Sequence, residues 1–270
     1  MVLKVILSRK GFDSANGGCP SPIMPDNTLL SLPIPADDGV AYEELSFRGI
    51  NYADLLSQLN PRRQYVNCHL DPDIRESIRL NSIANWKPAF GQIGSAQGLL
   101  SNAKVDIGDL FLFFGWFRQV EQSGGKYRYV RKTPADFCRG SDLHVIYGYM
   151  QIGDIITDPT VIESYYWHPH SSNDRLYNTS NTLYIPSDSL SFLPDRKGYG
   201  VLAFRKDRVL TMEGQNRGTW NNLSFLRPEH IYGNKKNSAN GSGLYYSGIW
   251  QELVVFESDG LIEWAKSIIE

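Results

Sequence analysis

The chain is short of the residues and patterns from which several familiar kinds of site are built. Its 270 residues include three cysteines, Cys19, Cys68 and Cys138. Their scatter and odd number argue against a disulfide framework and predict a reducing compartment. No CxxC pair is present to build a zinc knuckle. No apolar run approaches the length of a bilayer span. The opening "MVLKVIL" is too short for a secretory signal, so the sequence predicts a cytoplasmic chain with no membrane partner. Charge of either sign is not in excess either, with 27 Lys and Arg against 29 Asp and Glu. A net charge of −2 supplies no global positive field, so any contact with nucleic acid must come from a local patch. The GxSxG elbow, HExxH, the kinase signature and the HxE…CxxC pattern of zinc deaminases are all missing.

What is there suits a compact folded chain. Hydrophobic residues make up 41%, enough for a sizeable core at this length. "VLKVIL" and "TLLSLPIP" read as strands around a long polar loop. Tyr52, Leu55, Leu56 and Leu59 recur at helical spacing. Asp73 and Glu76 are spaced as a capping box for a second helix carrying Ile74, Ile78 and Leu80. "IGSAQGLLSNA" reads as a third. From Ile107 the chain turns to strand: "GDLFLFFGWFRQV" and "KYRYVRK" as a hairpin, then "HVIYGYMQIGDII", "NTLYIP", "GYGVLAF", "DRVLTM" and "SGIWQELVVF". "DGLIEWAKSIIE" closes as an amphipathic helix. Gly233 to Gly243, "GNKKNSANGSG", reads as a mobile loop. The expectation is one α+β domain over residues 1–270, with a mixed or antiparallel sheet or barrel and several short helices.

Three stretches could carry chemistry. In "SRKGFDSANGGCPSPI", Arg9 and Lys10 offer charge, Asp13 a carboxylate and Ser14 a hydroxyl. Gly17 and Gly18 permit backbone conformations that turn N–H groups toward an anion. In "NCHLDPDI", His69 and Asp71 match the HxD part of a two-His, one-carboxylate iron site. His144, His168, His170 and His230 are the candidates for the third ligand, and the alternative is that Asp71 and Asp73 cap a helix. In "YYWHPHSSNDRLYNTSN", His168 and His170 could be metal ligands or an acid/base pair, and Trp167 could stack a base. Arg217 and Trp220 lie on an expected turn, "GQNRGTW".

The segment from Gly108, with its "GD" turn, hairpin and "GYMQIGDII" strand, resembles the small PUA-like barrels, including the EVE and ASCH domains. That resemblance implies a pocket for RNA or a modified base. A broader one rests on "VILSRKGFDSANGGCPSPI…LLSLPIP", "CHLDPDI", "FGQIGSAQ", "GDLFLFFGWFR" and "HVIYGYMQIGD". These strings resemble the third type of nucleotide modification associated domain, a phage and bacterial family tied to hypermodified DNA bases. The resemblance implies a role in nucleotide or base modification, with a nucleotide or DNA and other base-modifying enzymes as partners. It makes Asp13, His69, Asp71 and His168 the candidate catalytic residues. Arg9, Lys10, Ser14, Gly17, Gly18, Gln92, Trp116, Trp167 and Arg217 are the ligand-binding candidates. His69, Asp71 and His168 are the expected set for Fe(II) or another divalent metal. A non-catalytic reader of a modified base is the alternative.

Overall fold

The computed structural model describes residues 3–37, 39–133, 135–233, 243–256 and 258–270. Of the expected mobile loop, Gly233 to Gly243, residues 234–242 lie outside the described residues. Eleven strands matter to the site: β1 (Val5–Arg9), β2 (Ser21–Ile23), β3 (Ile34–Ala36), β4 (Asn67–His69), β5 (Phe90–Gln92), β6 (Leu110–Ser123), β7 (Lys126–Tyr129), β8 (Leu143–Ile156), β9 (Thr182–Pro186), β10 (Tyr199–Val201) and β11 (Glu252–Val255). The helices are α1 (Tyr52–Leu59), α2 (Gly94–Asn102), α3 (Pro159–Glu163), α4 (Asn173–Leu176) and α5 (Leu261–Ile269). The chain is α+β, with one mixed sheet curled into a half-barrel.

That sheet runs in the order β11-β1-β6-β8-β9-β5, with β7 and β2 also on β6 and β10 on β8. β1 and β2 lie parallel to β6, and the other pairs are antiparallel. β6 is central because Leu110–Phe114 is apolar on both faces, as a strand covered on both sides must be. Successive residues point to opposite faces. Val5, Leu7, Leu110, Leu112 and Phe114 therefore face one core, which Trp220, Tyr246 and α5 complete. Ile6, Phe111 and Phe113 face another, with Phe90, Tyr184 and Val254. Gly115 sits where the chain leaving β1 crosses β6, and a Cβ there would lie 2.7 Å from the Lys10 carbonyl oxygen. A bulge between Ile146 and Gly148 adds bend to the sheet.

α1 forms where its leucine spacing predicts. Asn51 caps it, its Oδ1 accepting the Ala53 N–H at 2.9 Å. Leu55, Leu56 and Leu59 bury against Phe12 and Tyr42. The expected helix after Asp73 is reduced to a 3-10 turn at Glu76–Ile78. The reason is that Asp73, instead of capping, is buried and accepts from Arg79 at 2.7 Å and Trp86 Nε1 at 3.0 Å. "DRVLTM" forms isolated bridges at Val209 and Thr211 in place of a strand. In β7, Lys126 and Arg128 are exposed, and Arg128 pairs with Glu121 at 2.9 Å, so this basic face is solvated.

His144 of β8 is buried within this frame. Its Nδ1 accepts the Trp220 indole N–H at 3.0 Å, and burial pushes its pKa down to about 3. The native imidazole therefore stays neutral while an unfolded one takes a proton below about pH 6.5. Stability from this group is present above that pH and is lost as the pH falls through it toward 3. Between pH 6.5 and 5 the loss is about 2 kcal/mol. His144→Gln keeps an acceptor for Trp220 without the titration. Urea denaturation at pH 7 and pH 5 is expected to show the variant losing about 2 kcal/mol less than the wild type.

Candidate functional site

Three segments distant in sequence meet at the edge of this sheet. β4 pairs with β3, setting His69 opposite Ile34. Alternation along β4 buries Cys68 in the α1 core and turns His69 the other way. Two residues on, Asp71 lies against β5, where its Oδ1 accepts the Gly91 N–H at 2.8 Å. The third segment is the 3-10 turn Pro169–Ser171, which carries His170. Proline suits the first position of such a turn because no N–H is needed there. The preceding His168 closes it, with Nδ1 accepting the His170 N–H at 3.2 Å.

His69, Asp71 and His170 each offer one ligand atom, and the three atoms lie within 4.8 Å of one another. His69 Nε2 and Asp71 Oδ2 are 3.9 Å apart. Bonds of roughly 2.0–2.2 Å to one ion bring donors to roughly 3.0–3.5 Å, so closure needs about 1 Å of side-chain movement. The tautomer of His170 is fixed from behind. Asn181 Nδ2 donates to the His170 carbonyl at 3.0 Å, which leaves its Oδ1, 2.6 Å from His170 Nδ1, as an acceptor. His170 Nδ1 therefore carries the proton and Nε2 keeps its lone pair, as a metal-binding histidine requires. Burial lowers the pKa of His69 to about 4 and of His170 to about 3, so both imidazoles are neutral at physiological pH. Burial works against the Asp71 carboxylate, but the surrounding histidines, led by His168 at 3.2 Å, outweigh it and hold its pKa well below the usual range. Two neutral imidazoles and one anionic carboxylate are the protonation states a divalent ion needs.

The three open into a cleft of about 770 Å³ also lined by Arg9, Lys10, Asp13, Gln92, Asp174 and Arg175. Behind two of its lining residues, Lys10 and Gln92, lies a buried carboxylate that sequence reasoning missed. Glu252 Oε1 accepts from Ser8 Oγ at 3.0 Å, Lys10 Nζ at 3.0 Å and Gln92 Nε2. The Lys10 ammonium lies 4.5 Å from the centroid of the Phe90 ring. Glu252 thus fixes Lys10 as a cation in the cleft wall. The one legible sign was a lone carboxylate in the apolar strand "ELVV".

Asp13, His69 and Asp71 share this cleft with Arg9, Lys10 and Gln92. His168, expected as the third ligand, is 1% exposed and sits behind Asp71. Its Nδ1 is occupied by the turn, and its Nε2 lies 3.2 Å from Asp71 Oδ1 without an in-line hydrogen bond. The histidine whose ring nitrogen converges with His69 and Asp71 is His170, while His168 lies against the carboxylate from behind. Asp13 is committed to its own loop: Oδ1 accepts from Ala15 N at 2.8 Å and Asn16 N at 2.6 Å, and Oδ2 pairs with Arg9 at 3.2 Å. Gly17 and Gly18 line neither this cleft nor the one beside it. Gly17 has φ +91°, and a Cβ there would strike the Phe12 ring, while the Gly18 N–H donates to the Asp13 carbonyl. Trp167 packs against Tyr165 and Tyr166, away from both clefts. Ser14, Trp116 and Arg217 gather at the second cleft, where Arg217 reaches both of the others.

The family described as nucleotide modification associated domain 3 matches residues 4–255. The chain belongs to this family. No curated protein and no solved structure matches the chain. The nucleotide modification associated domain therefore takes in every strand of the curled sheet, from β1 to β11, and leaves α5 outside the match. It also contains His69, Asp71, His170, Asn181 and Glu252. The family description ties the chain to nucleotide modification, and among the described residues no helix is long and apolar enough to cross a membrane.

Proposed function

We propose that this nucleotide modification associated domain is a metal-dependent enzyme acting on a nucleotide or a base in DNA, with His69, Asp71 and His170 as the ligands. The observation that carries the reading is the meeting of these three donors at the mouth of a nucleotide-sized cleft, with Asn181 holding His170 in the ligating tautomer. A facial set of two imidazoles and one carboxylate with open positions suits Fe(II). Such an ion supplies Lewis-acid and redox chemistry that side chains alone lack. The chain's own residues hold His69 and His170 neutral, keep Asp71 ionised, and set Lys10 on Glu252 as a fixed cation for an anionic part of the substrate.

The test combines metal content with base composition. Protein purified anaerobically and reconstituted with Fe(II) is expected to hold about one ion per chain, and His170→Ala close to none. Nucleosides from host DNA are expected to gain a modified base with the wild type and its companion modifying enzymes, and not with His170→Ala. A wild type that retains no transition metal while its modification persists overturns the reading. Metal-free binding to modified DNA with no change in base composition would point to a reader.

A further inference from the structure

Beyond the Arg9–Asp13 pair lies a second cleft, of about 610 Å³. Arg9 and Asp13 line both, so the two clefts adjoin across a single ion pair. Their charge differs. Around the first, Arg9, Lys10 and Arg175 face Asp13, Asp37, Asp71 and Asp174. Around the second, Arg9, Arg118, Lys132 and Arg217 face only Asp13 and Asp142. The lining charge of the second is net positive and that of the first net negative.

Arg217 is built in as a platform. Its guanidinium lies 4.0 Å from the centroid of the Trp116 ring, and its Nη2 donates to Ser14 Oγ of the opening loop. Held there, it offers N–H edges to a phosphate and a flat cation to a base. Tyr245, half exposed at 48%, adds an aromatic face at the rim. Two buried lining groups, Trp116 Nε1 and Ser141 Oγ, have no hydrogen-bond partner among the described residues. Buried polar groups are seldom left so, which marks this wall as short of polar partners.

We propose that the second cleft holds the phosphate and base of a nucleotide flanking the one presented to His69, Asp71 and His170, so that the substrate is a single DNA strand. This rests on the reading of the first cleft as the reaction site. Each cleft falls within the roughly 300–1,000 Å³ that one small ligand fills. A free nucleotide would occupy one and leave the other empty, whereas a strand occupies both.

The test uses fluorescence anisotropy of a labelled 12-nucleotide single strand and of a labelled mononucleotide, on the metal-reconstituted full chain. Arg217→Gln is expected to weaken the strand at least tenfold and to reduce the slope of log affinity against log salt by about 0.7. Mononucleotide affinity and metal content are expected to stay at wild-type values. Lys132→Gln, an exposed change that spares the Trp116 stack, is expected to give a smaller loss in the same direction. Unchanged strand affinity in both variants, or no strand binding by the wild type, overturns the proposal. Equal loss of strand and mononucleotide also overturns it, because the cleft then serves one nucleotide alone. Arg217-dependent strand binding by a chain that holds no metal supports this proposal while sinking the metal reading.

Discussion

Asp71→Asn is expected to abolish metal retention while leaving the fold intact. Asp71 Oδ1 accepts the Gly91 N–H at 2.8 Å and lies 3.2 Å from His168 Nε2. An asparagine in the same rotamer keeps an oxygen at that position and serves both neighbours. Its NH₂ then replaces Oδ2, the oxygen 3.9 Å from His69 Nε2. A charged acceptor aimed at the ion becomes a neutral donor. Changing a residue that only orients a ligand costs about 10–100-fold in metal affinity, so losing the anionic ligand is expected to exceed 100-fold. His168→Gln, which removes an orienting contact, is expected to fall within that lower range. Competition titration against a chelator reads both, and thermal unfolding of the metal-free proteins checks the fold. Equal, small losses in the two variants would place the ion elsewhere.

Much of the frame could be read from local pattern, because local pattern is what determines it. The leucines of α1, the doubly buried run of β6 and the apolar stripe of α5 are each set by residues within a few turns of one another. The site is a product of long-range contact. His69 and Asp71 stood out by spacing, yet the choice between His168 and His170 could not. Two histidines flanking a proline in a turn of three residues point in different directions, and which of them faces Asp71 from the cleft depends on how that turn docks on β5. The residue that holds the His170 ring, Asn181, is eleven residues away in sequence, and Glu252 is 242 residues from Lys10. Asp73 misled for the same reason. Its capping-box spacing is real, but Arg79 and Trp86 hold the carboxylate.

A change that substitutes no ligand is expected to have nearly as large an effect. Gly91 lies in β5 under the His170 ring, and a Cβ there would meet Cδ2 at 2.2 Å, Cγ at 2.4 Å and Nε2 at 2.6 Å. Its backbone is not in the left-handed region, so alanine brings no φ strain and the clash alone decides the outcome. The ring cannot yield cheaply. His170 is 2% exposed, and its Nδ1 is tied to Asn181. Gly91→Ala must therefore push the imidazole off its partner or lift the Pro169–Ser171 turn from the strand, and either movement withdraws Nε2 from Asp71. The expected cost is about 1–3 kcal/mol in urea denaturation of the metal-free protein, the usual range for overpacking. Metal affinity is expected to fall at least as far as for loss of an orienting residue, about 10–100-fold. Gly98→Ala in α2 is the control. Nothing lies within 4 Å of its Cβ position, and a helical alanine is expected to add about 0.5–1 kcal/mol of stability without altering metal content. Full metal occupancy in Gly91→Ala would count against His170 as a ligand, because Nε2 lies 2.6 Å from the new methyl and must give way to it.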